Sequence, residues 1–191
     1  MKVLAINGSP RTNGNTAFLL KTVLAEAAAA GMETELVQLA GKDLSGCRAC
    51  MTCKKTRDLR CAIGNDALND ILQKMLEADA IVLGSPTYFA DVTSDMKALI
   101  DRAGYVNLAN GRPLARKVGA AVTVHRRGGA VCSFDTMTRF LLIAGLIVPG
   151  STYWNLAAAR NIGEAEQDAE ACANMADLGK NIVWLLQKIH A

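Results

Sequence analysis

Short apolar runs and longer amphipathic segments follow one another along this chain. Three of the runs, Val3–Ile6, Ala80–Gly84 and Lys117–Val124, are almost continuously apolar. Strands with this pattern are typical of a parallel sheet that is covered on both faces. With two weaker runs included, the pattern predicts five strands, at Lys2–Asn7, Thr34–Leu39, Ala80–Gly84, Lys117–Val124 and around Ile147-Val148.

The amphipathic segments between these runs predict the helices, at Asn15–Ala30, 66–78, Thr93–Tyr105, Ala130–Leu146 and Ile162–Ile189. Alternating strands and helices indicate an α/β fold with a doubly wound parallel sheet. Five strands favour the flavodoxin-like order 2-1-3-4-5, in a single domain that spans residues 1–191. A cysteine-rich loop, residues 40–64, interrupts the pattern after the second strand.

A polar loop, Gly8–Thr16, joins the first strand to the first helix, and its hydroxyl, amide and guanidinium groups suit a phosphate site. It is not a Walker A loop, because Asn15 stands where that motif has lysine. It is not a dinucleotide fingerprint either, because Pro10 occupies the second glycine position. A terminal monophosphate fits best, and an ordinary strand-to-helix turn is the alternative. The polar side chains are those of Ser9, Arg11, Thr12, Asn13, Asn15 and Thr16.

Two further loops are expected at the same edge of the sheet. The strand order brings Ser85–Phe89, after the third strand, opposite the phosphate loop. This loop offers backbone hydrogen bonds and an aromatic wall to a planar ring. The loop His125–Gly129 follows the fourth strand, and a cation there would stabilise an anionic reduced flavin. The alternative for Arg126 and Arg127 is that they are ordinary solvated charges.

Four of the six cysteines lie close together, as Cys47-x2-Cys50-x2-Cys53-x7-Cys61. Four thiolates in so compact a run can wrap an iron–sulfur cluster. The spacing differs from the separated pairs of a zinc ribbon, but zinc held by the same four thiolates is an alternative. A further alternative is that the loop contains the cysteines but holds no stable cluster.

Composition narrows the class of protein. Apolar residues make up 51% of the chain, which argues against disorder, and no apolar run has membrane-spanning length. The formal charge of +3 and the aromatic content of 5% favour neither a nucleic-acid nor a membrane partner. The sequence begins directly with a strand, so a cytoplasmic location is expected, where cysteines indicate metal or redox chemistry rather than disulfides.

Taken in order, these motifs resemble those of the iron–sulfur flavoproteins, which belong to the NADPH-dependent FMN reductase group of flavodoxin-like proteins. The resemblance extends from residue 1 to about residue 155 and leaves the last helix outside it. The motifs that carry it are Gly8–Thr16, the cysteine run, Asn65-Asp66, Gly84–Phe89 and Lys97-x3-Asp101-Arg102.

The resemblance implies non-covalent FMN, with its phosphate on the first loop and its ring against the loop after the third strand. It also implies a [4Fe-4S] cluster, for which Cys61, after the longest spacing, is the least certain ligand. Together with the two candidates after the fourth strand, the expected flavin residues are Ser9, Arg11, Asn13, Asn15, Thr16, Pro86, Thr87, Tyr88, Phe89, His125 and Arg126. The expected cluster ligands are Cys47, Cys50, Cys53 and Cys61.

These expectations describe an FMN-dependent oxidoreductase that passes electrons between a flavin and a cluster. NAD(P)H or a ferredoxin-like carrier is the expected donor and a small molecule the acceptor, and no catalytic acid or base from the protein is expected. The resemblance further implies a homodimer or homotetramer. Two alternatives stay open: a cluster-free NAD(P)H-dependent FMN or quinone reductase, and a zinc-stabilised protein-binding module.

Overall fold

The computed structural model describes residues 1–191 and contains one five-stranded parallel sheet. Its strands are β1 (Lys2–Asn7), β2 (Glu33–Gln38), β3 (Ala80–Pro86), β4 (Val118–His125) and β5 (Leu156–Ala158). They lie in the order β2-β1-β3-β4-β5, and every neighbouring pair is parallel. The predicted doubly wound, flavodoxin-like sheet is therefore confirmed.

The chain forms six α-helices, and all of them except the second cover the two faces of this sheet. They are α1 (Asn15–Ala29), α2 (Thr52–Thr56), α3 (Leu68–Glu77), α4 (Ser94–Ala109), α5 (Ala130–Ala144) and α6 (Ala169–Ile189). The short α2 lies inside the cysteine-rich loop, which has no other regular element. None of the helices has both the length and the apolar character that a membrane crossing requires.

The central strands are buried on both faces, as their continuous apolar sequences predict. In β1, Val3 and Ala5 pack in the core under α1 and α6, whereas Leu4 and Ile6 pack in the core under α3, α4 and α5. All four side chains are inaccessible to solvent. The alternation follows from the two-residue period of a strand, which turns successive side chains to opposite faces.

The fifth strand differs from its predicted position near Ile147. That residue forms only an isolated bridge with Val118, while β5 itself pairs with Thr123–His125 at the carboxyl end of β4. Between these two contacts the chain leaves the sheet, at a point where Pro149 has no N–H to donate to a ladder. The edge of the sheet is therefore built in two pieces, and the second piece lies beside the candidate site.

The last helix begins at Ala169 and not at Ile162 as its apolar pattern predicted. Gly163 has a φ of +90°, in the left-handed region that favours glycine, and Glu164–Glu166 forms one 3-10 turn. Asp168 then caps α6 by accepting a hydrogen bond from a first-turn N–H at 3.0 Å. The segment between β5 and α6 is irregular as a result, and its contacts become important at the site.

The loops after β1 and β3 contact each other directly. The Gly8 N–H donates to the Gly84 carbonyl at 2.7 Å, and the Thr93 hydroxyl donates to the Gly8 carbonyl at 2.7 Å. A Cβ atom on Gly84 would lie 2.7 Å from the side chain of Leu20, which is fully buried in α1. Glycine is required at this position because the strand and the helix approach so closely.

Candidate functional site

A cavity of about 230 Å³ opens at the carboxyl ends of β1, β3 and β4. This is the edge at which ligands bind in open α/β sheets, beside the point where the strand order reverses. The lining comes from the three predicted loops and from the segment after β5. It consists of Ser9, Arg11, Asn15, Thr16, Pro86, Thr87, Tyr88, Val124, Arg126, Ala159 and Arg160.

All the charged residues of this cavity are cationic. Arg11, Arg126 and Arg160 line it, and no acidic residue does. None of the three guanidinium groups forms a salt bridge with a carboxylate. The whole chain has a formal charge of only +3, so the cavity concentrates positive charge locally. Such a lining attracts an anion, and a phosphate monoester matches the planar fork of arginine.

The loop after β1 is shaped by its own polar groups. The side-chain oxygen of Asn7 accepts from the Ser9 N–H at 3.0 Å, and the Ser9 hydroxyl accepts from the Arg11 N–H at 3.1 Å. Gln38 of β2 donates to the Ser9 carbonyl at 2.5 Å. Helix α1 begins at Asn15 without a side-chain cap. Its first N–H groups therefore have no side-chain acceptor and suit an anion.

The loop after β3 is held rigidly at the other side of the cavity. The Thr87 N–H donates to the Val124 carbonyl at 2.7 Å, and Tyr88 and Asp91 exchange two backbone hydrogen bonds of 2.7 and 3.0 Å. The Ser133 hydroxyl of α5 donates to the Thr87 hydroxyl at 3.1 Å. The Tyr88 side chain is about half exposed. The backbone is thus fixed while an aromatic ring remains open to a ligand.

Eight of the eleven flavin residues predicted from the sequence line this one cavity. The other three do not. Asn13 is exposed, Phe89 is fully exposed with a φ of +48°, and His125 has a buried Nδ1 atom without a hydrogen-bond partner. The lining residues that the sequence did not indicate are Val124, Ala159 and Arg160.

The four cysteines of the loop at 40–64 line a second cavity, together with residues of α4. All four are free thiols; Cys47 and Cys50 are exposed, whereas Cys53 and Cys61 are partly buried. No three His, Cys, Asp or Glu side chains of the chain are grouped to hold a single metal ion. The four cysteines thus line one cavity, although their side chains are not grouped closely around a single metal position.

Hydrogen-bond donors are directed at the exposed sulfurs. The Ala49 N–H donates to the Cys47 sulfur at 3.4 Å. Hydrogen bonds from the hydroxyl and the N–H of Thr52 lower the pKa of Cys50. Ala49 and Met51 have φ values of +51° and +57°, so the backbone turns sharply twice around these side chains. Donors of this kind stabilise the thiolate, which is the form that binds a metal or a cluster.

The partly buried sulfurs face a different environment. Burial raises the pKa of Cys53, and the N–H of Lys54 only partly offsets it. Cys61 accepts a hydrogen bond from the Arg102 Nε at 3.3 Å. Two of the four thiols, Cys47 and Cys61, thus accept a hydrogen bond of measured geometry. Hydrogen bonds to the sulfurs tune the potential of a cysteine-ligated cluster, so the chemistry of this set is compatible with one.

Arg102 of α4 connects the cysteine loop to the rest of the protein. Its side chain is fully buried and donates to the carbonyls of Ser45 and Ile63, at 3.1 and 2.9 Å, on the two sides of the loop. The same guanidinium pairs with both carboxylate oxygens of Asp66. One cation thereby joins both ends of the loop and the sulfur of Cys61.

The Asp66 carboxylate is charged within this network. Burial by itself would raise the pKa of Asp66, but hydrogen bonds from Arg102 and from the N–H groups of Leu68 and Ser45 outweigh it. The pKa therefore lies below its usual value. Helix α3 begins at Leu68, two residues after Asp66, and not at residue 66 as its pattern predicted.

The sheet order, the loop after β1 and the loop after β3 define a flavodoxin-like protein. Solved structures agree on the fold. A flavone reductase has a TM-score of 0.73 at 21% identity, and the alignment covers all of this chain and 64% of that one. A flavodoxin from the domain Archaea has a TM-score of 0.57 at 15% identity, over 94% of this chain and 99% of that one.

Sequence comparison is more specific. The family model of the NADPH-dependent FMN reductases matches residues 1–161. An iron–sulfur flavoprotein of Methanocaldococcus jannaschii is 37% identical, over 99% of this chain and 99% of its own length. The chain therefore belongs to the iron–sulfur flavoproteins within the NADPH-dependent FMN reductase family. It is a flavin-dependent oxidoreductase that takes part in electron transfer.

Replacing Arg102 tests whether the buried ion pair is needed for stability. In Arg102→Met the Asp66 carboxylate, 5% exposed, loses its partner, and the free energy of unfolding should fall by about 3–5 kcal/mol. The control Arg139→Met removes an arginine that pairs with Asp135 on the surface of α5, where the side chains are 78% and 46% exposed. It should cost less than about 1 kcal/mol. Denaturant unfolding measures the free energy of unfolding of both variants. Equal losses in the two variants would contradict a stabilising role of the buried Arg102–Asp66 pair.

Proposed function

We propose that this chain binds FMN in the arginine-lined cavity, with the phosphate on the loop after β1 and the ring along the loop after β3. One observation supports this most strongly: three arginines and no acidic residue line a cavity between these two loops. FMN carries a phosphate monoester at one end and a planar ring at the other. The cationic side of the cavity suits the phosphate. The rigid backbone of the loop after β3 and its aromatic side chain suit the ring.

The phosphate side combines three kinds of donor. Arg11 provides a guanidinium, while Ser9 and Thr16 provide hydroxyls on either side of the loop. Asn13 is exposed at the tip of the same loop. The uncapped start of α1 adds backbone N–H groups and the positive end of the helix dipole. These groups together bind a dianion without any metal ion.

The ring side is a fixed surface. Pro86, Thr87 and Tyr88 would contact the isoalloxazine, with Phe89 beside them, and the backbone hydrogen bonds of this loop keep it in place. When bound, FMN supplies hydride and single-electron transfer. Arg126 would place a cation near the pyrimidine part of the ring, where it favours the reduced, negatively charged form.

We also propose that Cys47, Cys50, Cys53 and Cys61 hold a [4Fe-4S] cluster. The hydrogen bonds to their sulfurs support this, because they offset the negative charge that four thiolates bring together. Basic side chains of the same loop would offset it further. These are Arg48, Lys54, Lys55, Arg57 and Arg60.

NAD(P)H or a ferredoxin-like carrier is the proposed electron donor, and a small molecule is the acceptor. The exposed apolar side chains of Tyr105, Leu108 and Ile143 lie on one groove between α4 and α5. Tyr105 also lines the cysteine cavity. This continuous apolar surface supports a homodimer or homotetramer in which a second copy covers the groove near the cysteines.

Substitution in the loop after β1 tests the flavin assignment. Arg11→Ala removes a charge-assisted hydrogen bond to the phosphate, and Thr16→Ala removes a hydroxyl. We expect the FMN dissociation constant to rise about tenfold or more in Arg11→Ala and by a smaller factor in Thr16→Ala. Flavin fluorescence titration measures the constants, and circular dichroism checks the fold. The control Lys188→Ala, at an exposed position near the end of α6, should bind as the wild type does. Wild-type affinity in both loop variants would place the phosphate elsewhere.

A cysteine substitution tests the cluster separately from the flavin. After anaerobic reconstitution with iron and sulfide, Cys50→Ala should lose most of its iron and keep its FMN. Cys132→Ala is the matched control, because Cys132 is an exposed free thiol on α5 outside the loop. It should retain both cofactors. Unchanged iron in Cys50→Ala would exclude this ligand, and a wild type with flavin but no iron would favour the cluster-free reductase. Zinc in place of iron would favour the metal-stabilised alternative.

A further inference from the structure

The irregular segment between β5 and α6 forms a third side of the arginine-lined cavity. Ala159 and Arg160, which begin this segment, line the cavity with the residues of the loop after β1. The Ala159 N–H donates to the His125 carbonyl at 2.8 Å, which continues the pairing of β5 with β4. The segment is therefore attached to the sheet at its first residue.

Asn15 attaches the same segment to the loop after β1. Its side-chain NH₂ donates to the Asn161 carbonyl at 2.7 Å, and its side-chain oxygen accepts from the N–H groups of Gly163 and Ala165 at 3.0 and 3.3 Å. Asn15 is only 8% exposed. Its oxygen and one of its N–H groups are occupied by these contacts. This geometry suits a residue that positions the segment better than one that binds the phosphate itself.

Glu164 closes the turn on the other side of Arg160. Its carboxylate accepts from the N–H groups of Arg160 and Asn161, at 2.5 and 2.9 Å, and from the Asn161 side chain at 2.5 Å. This carboxylate is therefore committed to the turn, and it forms no salt bridge with the neighbouring guanidinium. The turn fixes the backbone of Arg160 and leaves its guanidinium group without a salt bridge.

Arg11 lies against this segment as well. Its Nη1 donates to the Arg160 carbonyl at 3.3 Å. Arg11 and Arg160, which are 149 positions apart in the sequence, thus line one cavity that no acidic residue lines. Like charges in one cavity repel each other, and an anion bound between them would remove this repulsion. The arrangement is explained if the site binds a dianion that both guanidinium groups contact.

We propose that Arg160 is a second phosphate-binding arginine of this site and that Asn15 positions it by holding the segment 159–165 against the loop after β1. The inference rests on the proposed binding of FMN in this cavity. It adds that the cavity prefers a phosphorylated flavin to an unphosphorylated one. Riboflavin has the same ring and side chain as FMN but lacks the phosphate. Arg160 therefore contributes to the affinity for FMN and not to the affinity for riboflavin.

The test compares FMN and riboflavin as ligands of the full chain from which flavin has been removed. Arg160→Ala should raise the FMN dissociation constant about tenfold and change the riboflavin constant less than about twofold. Arg160→Lys should keep part of the FMN preference, because lysine keeps the charge and loses the fork. Lys188→Ala, the surface control on α6, should leave both constants unchanged.

Asn15→Ala tests the positioning role. It should reduce the FMN preference as Arg160→Ala does, and the double variant should be no worse than the more severe single variant, since both changes remove the same contact. Additive losses would show that Asn15 acts on the phosphate independently of Arg160.

The outcomes separate this inference from the proposed function. A wild type that binds FMN and riboflavin equally would overturn both, because no phosphate site would then exist in the cavity. A wild type that prefers FMN, together with an Arg160→Ala variant that keeps the whole preference, would overturn the role of Arg160 alone. Equal weakening of FMN and riboflavin in Arg160→Ala would also overturn it, since the segment would then be merely structural.

Discussion

The site depends on the close approach of β1 and β3 where the strand order reverses. The hydrogen bond from the Gly8 N–H to the Gly84 carbonyl joins the loop after β1 to β3. The hydroxyl of Thr93, the N-cap residue of α4, donates to the Gly8 carbonyl and so joins the two loops. Gly84 has no room for a side chain because Leu20 lies against it. This contact sets the distance between the phosphate loop and the loop for the ring, so one rigid crevice accepts both ends of a flavin.

Two side chains, those of Arg102 and Asn15, attach irregular segments that no strand pairing holds in place. Arg102 holds the cysteine loop by both of its ends and pairs with Asp66, so a long irregular insertion is attached through one buried cation. Asn15 holds the segment before α6 against the phosphate loop. In both cases one side chain forms several hydrogen bonds to backbone groups of a segment without regular secondary structure. These hydrogen bonds fix the position of that segment beside a candidate binding site.

The central strands were predictable because their apolar runs are continuous, and the order followed from the alternation of strands and helices. The fifth strand was misplaced because it has only three residues at the edge of the sheet, and Leu156 and Ala158 are not fully buried. Arg160 was missed because the position of its segment depends on hydrogen bonds between Asn15 and residues Asn161 to Ala165, which are 146 to 150 positions from Asn15. The motif around Arg102 was visible in the sequence, but its burial against the cysteine loop arises only from tertiary packing.

Cofactor content of the full chain, purified without oxygen and quantified for FMN, iron and sulfide, tests the central claim most directly. The account predicts about one FMN per chain, retained through gentle purification, together with iron and sulfide and an absorbance shoulder beyond the flavin bands. A chain that carries no flavin and does not take up added FMN would contradict it.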